Sequence, residues 1–90
     1  MYRYSFSEDT AFEQVQSTLL LALWATESIH GDAAVRLDAA HSTDDERRLI
    51  EIDGTTPTGL TLNKLLVGFL VREFGPLGFR VERHPDLVPL

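Results

Sequence analysis

The sequence predicts an α+β fold of βαββαβ order. Three observations point there. Apolar residues alternate with polar ones near both ends of the chain, two long segments repeat apolar residues at helical spacing, and an alternating pair of stretches around a polar turn lies between them. Ninety residues are read as a single domain over 1–90, because compact domains run to roughly 100–200 residues and so small a core is rarely divided.

At the start of the chain, Tyr2, Tyr4 and Phe6 alternate with Arg3 and Ser5, as in a strand with one buried face. Ser7 is a candidate N-cap, with Glu8 and Asp9 where the positive end of a helix dipole favours acids. Thr10 with Glu13 offers a capping-box alternative one turn later. The helix is expected to run to about His30, with Gly31 as its stop. Phe12, Val15, Leu19, Ala22, Leu23 and Ile29 share one face and are assigned to the sheet. Leu20, Leu21 and Trp24 sit to the side or opposite, beside Ser17 and Ser28.

Ala34 to His41 alternate again, with Val35, Leu37 and Ala39 on one face, and read as the second strand. Ser42 to Asp45 read as a polar turn, and Arg48, Ile50 and Ile52 as the matching face of a third strand. A four-residue turn then sets Leu37 against Ile50 and Val35 against Ile52, with Arg36 across from Glu51. The stretch Gly54-Thr55-Thr56-Pro57-Thr58-Gly59 is a loop. A second helix is expected from about Leu60 to Phe74, closed by Gly75 and Pro76. Its core stripe is Leu62, Leu65, Leu66, Phe69 and Leu70, and Val67, Val71 and Phe74 widen the apolar arc. Leu77, Phe79 and Val81 alternate as the last strand, and residues 84–90, with two prolines, read as an irregular tail. This order implies a two-layer ferredoxin-like plait, a four-stranded antiparallel sheet with two helices on one face.

Composition narrows the function classes. A net charge of −6 and a pI near 4.8 oppose general affinity for phosphate backbones or anionic lipid. The chain has no cysteine, which removes disulfides and thiolate metal sites and suits the cytoplasm. No basic segment precedes an apolar stretch as in a signal peptide, and the longest apolar run, Leu19 to Ala25, is too short to cross a bilayer.

The motifs are sparse. Glycines, hydroxyls and a helix start make Thr55, Thr56, Thr58 and Lys64 a candidate anion site. Leu60 stands where a phosphate-binding loop needs lysine, and simple capping of the second helix by Thr58 or a neighbour is the plainer account. His30, His41 and His84 have no ligand spacing, so no metal site is expected. No serine or cysteine is set beside a base as a nucleophile needs, so neither catalytic residues nor a cofactor is expected. An open sheet face carrying Arg3, Arg36, Arg47, Arg80, Asp38, Glu51 and Glu82 mixes charges. It also lacks the aromatic platform that single-strand readers use, which argues against nucleic acid. The excess is apolar: Leu20, Leu21, Trp24, Val67 and Val71 form a candidate partner interface, for another protein or for a second copy in a homodimer. Cover by Leu87, Val88 and Leu90 of the tail is the competing account.

Overall fold

The computed structural model of the chain describes residues 1–84. In order it contains β1 (Tyr2–Ser5), α1 (Phe12–His30), α2 (Asp32–Asp38), β2 (His41–Asp44), β3 (Leu49–Ile52), α3 (Pro57–Phe74) and β4 (Arg80–Arg83). The strands form one antiparallel sheet in the order β2-β3-β1-β4, so the architecture is α+β with three helices.

The register explains the core. Tyr4 lies opposite Ile50 on one side and Val81 on the other, so these residues share a face. Tyr4, Ile50 and Ile52 are fully buried there against Val15 and Ala22 of α1 and Leu62, Leu66 and Leu70 of α3. Each leucine so buried contributes about 1.5–3 kcal/mol. Phe6 continues the β1 face just beyond the strand, meeting Phe12 edge-on at 5.9 Å and stacking on Phe79 at 6.1 Å between ring centroids. Arg3, Glu51 and Glu82 are carried by the opposite face.

Both long helices stop where glycines stand. Gly31 and Gly75 have φ of 92° and 80°, and each donates its amide to a carbonyl four residues back. Their starts differ. Thr56 caps α3, its hydroxyl accepting from the Gly59 amide at 2.9 Å, with Pro57 in the first turn. Three residues upstream of the expected Leu60, the helix therefore begins where proline costs no hydrogen bond. α1 starts at Phe12 behind Ala11, which supplies no side-chain cap. Ser7 and Thr10 instead close a turn, Thr10 donating its amide to the Ser7 carbonyl at 3.2 Å. Phe12 and Val15 hold this helix start by burial.

The middle of the chain departs from expectation. Residues read as a strand over Ala34–His41 form α2, and β2 comes later, over His41–Asp44. Thr43, not Leu37, faces Ile50, and His41, not Val35, faces Ile52. Leu37 is 81% exposed on α2. Arg36 bonds Asp32 one helical turn away at 3.1 Å, while Glu51 pairs with Arg3 at 3.1 Å. The turn moves with the strand, to residues 45–48. Arg48 leaves the expected strand face for that turn, where it holds a left-handed φ of 57°. Its Nε donates to the Ser7 carbonyl at 2.8 Å and its guanidinium lies over the Phe12 ring. Arg36 and Asp38, on α2, therefore leave the open sheet face, and Arg47 joins the turn.

Smaller corrections follow from position. Ile29 lies in the last turn of α1 and is exposed, and Leu77 sits in the turn after α3, 97% exposed. The irregular tail expected over 84–90 lies, from Pro85 onward, outside the described residues.

Candidate interaction surface

α1 is apolar on more than the face it turns to the sheet. Phe12, Val15, Leu19 and Ala22 are buried, and Leu23 is half-buried. Thr18 and Thr26 complete the buried side: Thr26 returns its hydroxyl to the Ala22 carbonyl at 2.7 Å, and the Thr18 hydroxyl reaches the Glu73 carboxylate on α3. The helix thereby buries polar residues while leaving large apolar ones outside. Trp24 is 58% exposed and Leu21 54%, with Leu20 also exposed.

Leu20 and Trp24 form one wall of a groove of about 430 Å³ that also holds Leu23 and Glu27 of α1. The facing wall is Val35 and Arg36 of α2 and the segment Ala39 to His41 entering β2. The insertion of α2 between α1 and β2 builds this groove, because it holds Val35 beside α1 where a direct connection would leave no wall. The His41 Nδ1–H donates to the Ala39 carbonyl at 2.9 Å and fixes the ring at the rim.

Val67 is not part of this groove. It lies with Tyr2, Leu60, Lys64 and Val81 in a second one, of about 360 Å³, between α3 and the β1–β4 side of the sheet. Val71, one turn on, is exposed. The five residues singled out for a partner thus divide, with Leu20 and Trp24 beside β2 and Val67 beside β4.

Thr56 is the centre of the loop before α3. Its hydroxyl accepts the Gly59 amide while donating to the Asp38 carbonyl, which ties the end of α2 to the start of α3. The Leu60 amide goes to the Thr56 carbonyl at 2.9 Å, and the Thr55 amide to the Asp53 carboxylate at 2.9 Å. Hydrogen bonds from the Thr55 side chain and backbone hold that carboxyl below its usual range. Thr58 is buried, and Lys64 faces the second groove. A Cβ at Gly59 would collide with the Asp53 carbonyl, so glycine is needed for close approach.

A buried polar pair lies beneath. The Tyr4 hydroxyl donates to Asn63 Oδ1 at 2.5 Å, and Asn63 Nδ2 donates to the Gly59 carbonyl at 2.8 Å. Burial, then the neighbouring Tyr2, pushes the Tyr4 hydroxyl well above its ordinary pKa. Asn63 is a polar residue within the apolar stripe of α3, and its bonds to Tyr4 and Gly59 satisfy it in the core. Among the described residues no three histidines, cysteines or carboxylates gather as a metal cluster, and no helix is long and apolar enough to cross a membrane. His30 Nε2 meets the Thr61 hydroxyl at 2.8 Å.

Comparison of the chain with protein-family models, with curated protein sequences and with solved structures found no match.

Proposed function

We propose that the chain is a non-enzymatic interaction domain, a ferredoxin-like plait with an inserted helix, that docks a protein through the apolar side of α1. The observation that carries this is Trp24, more than half exposed beside the exposed Leu20 and Leu21 on a helix whose sheet side is already filled. Exposed apolar clusters on a folded domain mark contact sites, and tryptophan is the residue most enriched at their centres. The plait is supported by the order β2-β3-β1-β4, in which each helical connection links two parallel strands across an antiparallel neighbour. One shared core supports a single domain.

The loop at Thr55, Thr56 and Thr58 is read as backbone construction, because the Thr55, Gly59 and Leu60 amides already have acceptors within the chain. Nucleic acid is disfavoured by the open sheet face, where Arg3 is paired with Glu51 and Arg80 with Glu82 and no aromatic is presented. A cysteine-free sequence is consistent with the cytoplasm.

The test is a photo-crosslinking amino acid at Leu21, beside the groove but not lining it, introduced in the cells that make the protein. A discrete crosslinked product is expected. Absence of any product with the folded protein would sink the reading.

A further inference from the structure

Deepening this reading and resting on it, we propose that the partner is a second copy of the chain, docked about a twofold axis through the groove between α1 and α2. The groove is complementary to itself. Glu27 stands on the α1 wall and Arg36 on the α2 wall. The Glu27 carboxylate has no partner among the described residues, and Arg36, which holds Asp32 through Nε, keeps a side chain 77% exposed. In a twofold contact, residue i of one copy meets j of the other and j meets i. A rotation that sets the α1 wall over the opposite α2 wall therefore makes the Glu27–Arg36 contact twice. The exposed indole of Trp24, on the same wall as Glu27, would be covered in that contact.

The sheet edges agree with this choice of side. The edge strand β4 carries Arg80, Glu82 and Arg83, the charges that protect an open edge. The other edge strand, β2, has sequence His-Ser-Thr-Asp, with Asp44 its one carboxylate, and His41 borders the groove. A second copy seated in the groove would lie beside His41, at the start of this edge strand.

The experiment is sedimentation of the full chain across the micromolar range, with Glu27→Arg, Arg36→Glu and their equimolar mixture. Both positions are exposed, so the variants fold, which circular dichroism verifies. Wild type is expected to dimerise, with Trp24 emission shifting to the blue on association. Each variant doubles a like-charge contact through the twofold and should weaken dimerisation about tenfold. Mixing the two variants recreates both opposite-charge contacts in the heterodimer and should restore association. That rescue could not follow from damage to either fold. Monomeric wild type throughout, or a mixture no better than its components, overturns the proposal. A Leu21 crosslink to a different protein, with monomeric sedimentation, overturns the dimer while keeping the interaction domain. Loss of crosslinking and association together removes both.

Discussion

α3 and α1 cross the same sheet and are built differently. α3 is capped by Thr56, entered through Pro57 and closed at Gly75. Its buried residues run from Thr58 and Gly59 through Leu62, Asn63 and Leu66 to Leu70, and all are accounted for by contacts within the chain. α1 lacks a side-chain cap, buries Thr18 and Thr26, and leaves Leu20, Leu21 and Trp24 in water. Both helices bury polar residues, but α1 leaves the larger apolar side chains more exposed, Trp24 at 58% and Leu21 at 54% against 40% for Leu60 and 37% for Val71 of α3. The docking proposed above would cover that surface.

Four substitutions probe that contrast, from the largest effect to the smallest. Leu66→Ala, in the α3 core, should cost about 2–5 kcal/mol in urea unfolding, since the cavity adds to the lost burial. A cost like that of a surface change would mean that α3 does not carry the core. Tyr4→Phe should cost about 1–3 kcal/mol, because Asn63 Oδ1 would lose its donor in a buried setting. The same residue sets an alkaline limit. Its folded pKa is raised, so its contribution is complete below about pH 10, where an exposed tyrosine ionises, and is lost as pH rises further. Base unfolding monitored by far-ultraviolet dichroism should therefore shift in Tyr4→Phe, and an unchanged profile would assign the limit to other groups.

Thr56→Ala should cost about 1 kcal/mol as a lost helix cap, with Thr56→Ser recovering most of it. If serine failed to recover stability, the methyl group rather than the hydroxyl would be holding α2 to α3. Leu37→Ala should change stability by less than about 0.5 kcal/mol, as an exposed position does. A loss of several times that amount would restore the strand register that α2 replaces.

The first strand and the ends of the long helices were legible because local pattern and final environment coincide there, whereas the last strand, read from Leu77, begins at Arg80 and leaves Val81 exposed. Tyr4 and Phe6 alternate and are buried, and Gly31 and Gly75 end helices where left-handed backbone is needed. Residues 32–47 were not legible by alternation. β2 is an edge strand with polar residues on both faces, so it has no apolar period to read. Asp32-Ala-Ala-Val-Arg-Leu-Asp alternates like a strand, yet its alanines and its acid four residues before arginine are helix signals, and those prevailed. At the candidate surface, the excess of apolar residues on α1 was legible from the helical wheel. The separation of Val67 from Trp24 was not, because a wheel gives the angle of a residue but not the strand that flanks it.

The position of β1 has a consequence for biosynthesis. Tyr2 is paired with Ile52 on one side and Arg83 on the other, so β1, which precedes its partners in the chain, becomes an inner strand of the finished sheet. As the ribosome releases the chain, Tyr4 has no strand beside it until β3 emerges, and no second neighbour until β4 does. Contacts this distant in sequence form slowly, since chain must be looped before they are gained. The fourth strand can therefore join only after Arg83 has been made, whereas the buried side of α1 can meet β3 and α3 as soon as Phe74 has emerged.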